Sequence, residues 1–203
     1  MSGSLFIVAA PSGAGKTSLV NALVAEDAEI ALSVSHTTRP SRAGEIDGKD
    51  YFFVPQQDFT AMQGKGDFLE SATVFDYCYG TSSEAVFKQL KLGVDVILEI
   101  DWQGAEQVRR NYPDSTSVFI LPPSKLALEQ RLHGRGQDDG SVISRRMRDA
   151  ENEISHYIEF DYLIVNDDFD LALSQLVTII SARRHSMAIQ KELQAPLLKT
   201  LLA

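Results

Sequence analysis

Ala10-Pro11-Ser12-Gly13-Ala14-Gly15-Lys16-Thr17 constrains this chain more than any other stretch. It follows the apolar run Leu5-Phe6-Ile7-Val8-Ala9 and opens into Ser18 to Val24, whose leucines and valines have helical spacing. A strand, a glycine-rich turn and a helix in that order give a phosphate-binding loop its meaning. Glycines let backbone N–H groups point inward around a triphosphate, and the helix start adds its positive dipole end. The expected binding set is Ser12, Gly13, Ala14, Gly15, Lys16, Thr17 and Ser18. Lys16 would reach the β- and γ-phosphates, and the Thr17 hydroxyl would ligate Mg²⁺. Ala10 stands where the strict pattern has glycine, a mild change because Gly13 and Gly15 occupy the tightest part of the turn. A glycine-rich connection that merely carries a lysine is the alternative. The residue context favours a site for a nucleoside triphosphate.

Composition narrows the rest. The 203 residues are 44% hydrophobic and 23% charged, ordinary for a globular chain that buries a sizeable core. A formal net charge of −9 argues against a nucleic-acid-binding surface, so anionic ligands would need arginines gathered locally. Cys78 is the single cysteine, which leaves no disulfide framework and no cysteine metal site. His36, His133, His156 and His185 show no metal-ligand spacing. The first apolar run is too short for a signal peptide, and none approaches the roughly 20 residues of a membrane span. The expectation is a cytoplasmic protein without a membrane partner, and the charge excludes no homo-oligomer.

Val94 to Ile100, Ser117 to Leu121 and Tyr162 to Val165 read as strands, the first nearly continuous in apolar residues. Helical patterns separate them, so the expected fold is α/β with a parallel sheet flanked by helices. Residues 35–82 look different. They hold a polar loop broken by Pro40 and Gly44, short strands near Tyr51-Phe52-Phe53-Val54 and Phe68 to Phe75, and a weak helix from Gln56 to Gly64. Tyr77 to Thr81 reads as a turn into the helix Ser83–Leu92. The segment reads as a β-rich insert. Asn166-Asp167-Asp168 reads as the cap of a long helix carrying Phe169, Leu173, Leu176, Val177 and Ile180.

Arginines gather at two places. Arg39 and Arg42 share the polar loop, while Arg131, Arg135, Arg145, Arg146 and Arg148 lie on two helices around a glycine-rich break. Solvated helix faces would account for such groups. Guanidinium forks also match phosphate oxygens, and two sets on two excursions suit the clamping of two phosphorylated substrates.

The segments Ser35 to Glu45, Gly48 to Phe53, Phe68-Leu69-Glu70, Tyr79-Gly80-Thr81-Ser82 and Glu99 to Gly104 together resemble guanylate kinase. Ile120 to Ser124, Arg131 to Gly136 and Val165 to Asp168 extend the likeness, which runs in order from Leu5 to about Arg183. The resemblance implies a P-loop NTPase core at 1–34, 83–125 and 157–203, a GMP-binding insert at 35–82 and a lid at 126–156. Arg39, Arg42, Tyr51 and Tyr79 would grip the GMP phosphate, with Glu45 bracing the arginines. Ser35, Glu70 and Thr81 would read the guanine. Its N1–H and N2–H₂ donors suit one carboxylate, and a mismatched base would leave Glu70 unpaired, discrimination on the order of 10⁴. Arg131, Arg135 and Arg146 would close over ATP, and Asn166 would lie near the adenine, although it also suits a helix cap. Glu99 and Asp101 would act at the acceptor side, Asp101 on Mg²⁺ water or on the acceptor itself.

The implied reaction is ATP + GMP ⇌ ADP + GDP with Mg²⁺, in which Lys16, Arg39, Arg135, Arg146 and Asp101 form the catalytic set. Both excursions would hinge to exclude water. Two rivals share the loop. A kinase of a phosphorylated sugar would lack the Ser35, Glu70 and Thr81 set, and a scaffold module that has lost catalysis would have a damaged loop.

Overall fold

The structure, a computed structural model, describes residues 3–74, 76–134 and 140–203, with the side chains of 140–145 left aside. Leu5–Ala9 is apolar at every position and forms β1, buried on both faces. Its alternation splits the core in two. Phe6 and Val8 point to one side of the sheet, Leu5 and Ile7 to the other. The loop then turns into α1 (Lys16–Glu26), followed by β2 (Ile30–Leu32).

A second, smaller sheet comes next, built from β3 (His36–Thr37), β4 (Phe52–Phe53), β5 (Phe68–Val74) and β6 (Tyr77–Ser82), with α2 (Gln56–Lys65) between β4 and β5. Its order is β4-β3-β6-β5, and β5 and β6 pair antiparallel through a turn at Asp76, φ 71°. Tyr77 to Thr81 is thus strand where the sequence suggests a turn. Gly80 explains the difference: a Cβ there would come within 3.0 Å of Phe68 and 3.1 Å of Phe59. The glycine admits two aromatic rings; it does not break the strand.

The chain returns to the core with α3 (Ser83–Lys91), β7 (Asp95–Glu99), α4 (Trp102–Asn111) and β8 (Thr116–Leu121). Then follow α5 (Lys125–Gly134), α6 (Gly140–Ser155), a 3-10 turn at His156–Glu159, β9 (Tyr162–Val165) and α7 (Phe169–Arg184). Helices α8 (Met187–Leu193) and α9 (Ala195–Leu201) end it. The main sheet runs β2-β7-β1-β8-β9, parallel throughout. Helices α1 and α7 cover the Phe6 face through Leu19, Leu23, Leu173, Leu176 and Ile180. Helices α3 and α4 cover the Leu5 face through Val86, Leu90, Ala105 and Val108. On α7 the buried stripe includes Ala172, whereas Phe169 and Val177 are exposed. The connection leaving β1 runs towards the β2 edge and the one leaving its neighbour β8 towards the β9 edge, so ligands are expected beyond the carboxyl ends of these two strands. Among the described residues no helix is long and apolar enough to cross a membrane.

At the opposite end of the sheet, Arg184 ties α7 down. Its Nε donates to Asp95 Oδ2 and its Nη1 to Asp27 Oδ2, both at 2.7 Å, and the guanidinium holds Asp27 below the usual carboxylate range. Asp95 is buried and also accepts the Ser4 N–H. Arg184→Ala leaves that carboxylate without its cation and is expected to lower stability by about 2 kcal/mol in urea denaturation, with the denaturant slope unchanged.

Candidate functional site: a phosphate loop facing a second wall

Gly13 and Gly15 hold φ of 96° and 93°, values that L side chains rarely adopt, and Gly15 is the residue from which α1 starts. Both are also hemmed in. A Cβ on Gly13 would lie 3.0 Å from Leu128 and Leu132 on α5, and one on Gly15 only 2.3 Å from Asn166 Nδ2. Between them the Ala14 carbonyl accepts Asn166 Nδ2 at 2.7 Å and Arg131 Nη1 at 3.3 Å, while Arg131 Nη2 donates to the Asn166 carbonyl. Asn166 is therefore buried against the loop, and Asp168 is the residue that caps α7. The Ala14 side chain is buried and Ser18 lies exposed on α1.

Beyond the loop the ends of β7 and α4 supply acid. Lys16 Nζ donates to the Ile100 carbonyl at 3.1 Å and stands 3.8 Å from Glu99 Oε1, which accepts the Thr17 hydroxyl. Asp101 caps α4 by accepting the Gly104 N–H at 2.9 Å, and takes Gln103 Nε2 on its other oxygen. Among the described residues no trio of His, Cys, Asp or Glu could hold a metal. Mg²⁺ needs none, since it binds through one or two protein oxygens together with phosphate. Thr17, Glu99 and Asp101 are hard oxygen donors lining one cleft.

The small sheet forms the facing wall. Its edge strand β5 docks on α4, where the Gln107 amide bonds both the carbonyl and the N–H of Ser71. One residue earlier, Glu70 is 3% exposed, and its Oε1 accepts the Thr81 hydroxyl at 2.6 Å. Ser35 Oγ lies 3.3 Å from Thr81 Oγ1. Gly104 is what makes room: a Cβ there would stand 2.4 Å from Glu70 Oε2. Burial pushes the Glu70 carboxyl up to about 7, with the Thr81 hydrogen bond opposing it and Asp101 adding to it. Nearby, Arg39 and Glu45 form a two-pronged pair at 3.0 and 2.7 Å, and the Arg42 N–H donates to Glu45 Oε2. That pairing with Arg39 holds Glu45 below the usual range. Arg39 lies over Tyr51, whose ring meets Tyr79 edge-on at 5.9 Å, and burial raises the Tyr51 hydroxyl to about 12, helped by the charge of Glu99.

One cleft joins both walls. Ser12, Gly13, Gly15, Lys16 and Thr17 line it from the loop side. Ser35, Arg42, Tyr51, Glu70 and Tyr79 line it from the small sheet, with Glu99, Asp101 and Arg146 between. Ala14, Arg39, Glu45, Thr81, Arg131 and Asn166 are not part of that lining, nor is the exposed Ser18, and Arg135 lies outside the described residues. Sequence reasoning missed Glu153 on α6. It lines the cleft and its Oε2 accepts the Ser12 N–H at 3.1 Å. A glutamate on a polar helix carries no local signal of such a contact.

A phosphate loop opposed across a cleft by a cation- and tyrosine-bearing wall defines a P-loop kinase of the kind that phosphorylates nucleoside monophosphates. More narrowly, the chain belongs to the guanylate kinase family, whose model, described as Guanylate kinase, matches residues 2–183. It is 58% identical over 202 residues to a protein named guanylate kinase from Alkalilimnicola ehrlichii, covering 100% of both chains. It is 61% identical over 184 residues to one from Nitrosococcus oceani, covering 91% of each. The crystal structure of guanylate kinase from Anaplasma phagocytophilum superposes with a TM-score of 0.78 at 31% identity, over 95% of this chain and 94% of that one.

Glu70 sets a pH signature on stability. Its carboxyl keeps its proton to about 7 when folded but only to about 4.5 when unfolded, so the folded state binds more protons in that window and stability falls as pH rises through it. Glu70→Gln is expected to be more stable than the parent at pH 8, on the order of 2 kcal/mol, and no more stable at pH 4. Urea melts at the two pH values measure it.

Proposed function

We infer that the chain transfers the γ-phosphoryl group of ATP to GMP, giving ADP and GDP. The buried Glu70 carboxylate opening onto the cleft opposite the phosphate loop is the observation that carries this reading. A carboxylate accepts the N1–H and N2–H₂ donors of guanine together, and Thr81 holds it in orientation while Ser35 offers a hydroxyl towards O6. Adenine and uracil each set an acceptor beside their one donor, so either would leave one oxygen of a nearly buried carboxylate without its partner. Arg42, Tyr51 and Tyr79 face the position of the acceptor phosphate, and Glu45 keeps Arg39 extended behind them.

On the donor side the loop amides and Lys16 hold the triphosphate. Mg²⁺, when bound through Thr17 with Glu99 and Asp101 near it, would supply charge neutralisation between the phosphates. Arg146, with Arg131 bracing the loop from α5, would spread the charge of the transferring group, a role that extends to Arg135 by family resemblance. The attacking atom is already a phosphate oxygen, so no strong general base is required. We also propose that residues 35–82 and 126–156 move as separate bodies against the remainder, in a cytoplasmic setting that suits one half-buried thiol, Cys78. The sugar-phosphate and scaffold alternatives have no feature in their favour: the Ser35, Glu70 and Thr81 set and the Gly15-Lys16-Thr17 sequence are both intact.

ADP formation from ATP and Mg²⁺ tests the reading with GMP, AMP, UMP and ribose bisphosphate as acceptors. Turnover is expected with GMP, and Lys16→Ala should lower kcat on the order of 10² or more. Turnover with the sugar phosphate alone, or none in folded protein, would overturn it. Because guanine needs Glu70 ionised, KM for GMP is expected to rise as pH falls below about 7, while KM for ATP follows its own profile. Steady-state kinetics between pH 5.5 and 8.5 separate the two.

A further inference from the structure

The loop amide of Ser12 is already in use. Its N–H donates to Glu153 Oε2 at 3.1 Å, across 141 residues of chain, and the carboxylate stands in the same cleft as Lys16 and Asp101. Backbone N–H groups of such a loop are the donors that anionic phosphate oxygens seek. Two anions cannot share one donor in a partly dry cleft without strong mutual repulsion. Arg146 precedes Glu153 by seven residues on α6, two helical turns, and both line the cleft. One helix face thus presents a cation that attracts the triphosphate and an anion that opposes it.

Resting on the assignment of the loop to ATP, we propose that Glu153 is a competing internal anion, which holds the Ser12 end of the loop and yields that position to a phosphate of the incoming nucleotide. It is a positioning residue. Its contact ties α6 to the loop, so entry of the triphosphate and release of α6 from Ser12 become one event, and its return favours departure of the diphosphate. Its surroundings suit an anion that is readily given up. Burial pushes the Glu153 carboxyl up to about 7; the Ser12 hydrogen bond and Lys16 oppose that, and Asp101 and Asp149 add to it. The charge is weakly held where it stands.

Titration calorimetry with MgATP and with inorganic tripolyphosphate tests this on the full chain, comparing the parent with Glu153→Gln and Glu153→Ala. Both variants are expected to bind both ligands roughly three- to tenfold more tightly at pH 8, with GMP affinity unchanged. Glutamine keeps the shape and an acceptor for the Ser12 N–H, so it removes little but the charge. Equal or weaker binding by the folded variants would overturn the proposal and leave Glu153 as a brace of the loop. Failure of the parent to bind either ligand would instead overturn the assignment of the loop to ATP.

Discussion

The site depends on one backbone constraint, the left-handed turn at Gly13 and Gly15. Such φ values leave the Ala14 carbonyl turned away from the cleft, where Asn166 and Arg131 both donate to it. That fixes the loop against β9 and α5, elements more than a hundred residues away in sequence. Because that carbonyl points outward, the Gly15 N–H across the same planar peptide points the other way, into the cleft, which is the arrangement a phosphate requires, while the Ala14 N–H is held by the Pro11 carbonyl. The leucines of α5 press on Gly13 and the amide of Asn166 on Gly15, so the loop is held by packing as well as by conformation.

The second wall obeys the same logic of space surrendered by glycine. Gly104 lets Glu70 enter the junction between β5 and α4, and Gly80 lets Phe59 and Phe68 close over the back of the small sheet. What results is a carboxylate kept in a place where burial resists its charge. Such a group is an expensive element of a fold and a discriminating one for a ligand, since only a base that brings donors relieves the cost. On the proposed role of Glu70 in reading the base, stability and selectivity are set against each other at one residue.

Much of this was legible in the chain itself. Leu5 to Ala9 is apolar throughout and Val94 to Ile100 nearly so, as strands buried on both faces of a parallel sheet are, and the loop motif lies between a strand and a helix. The small sheet was harder. Tyr77 to Thr81 contains a glycine and reads as a turn, and only the packing of Phe59 and Phe68 shows why a strand needs Gly80. Asn166 looked equally suited to a helix cap, yet Asp168 caps α7 and Asn166 supports the loop. Glu153 was invisible because its role depends on a contact 141 residues away, and no local periodicity encodes that.

The most direct measurement is the titration of the Glu70 carboxyl by carbon-13 NMR, with and without GMP. Without ligand it should titrate near 7, where burial places it. Guanine donors stabilise the ionised form, so saturating GMP is expected to lower that value by about two units, while AMP leaves it in place. A titration unmoved by GMP, or moved upward, would contradict the assignment of Glu70 to the base and with it the account of this wall.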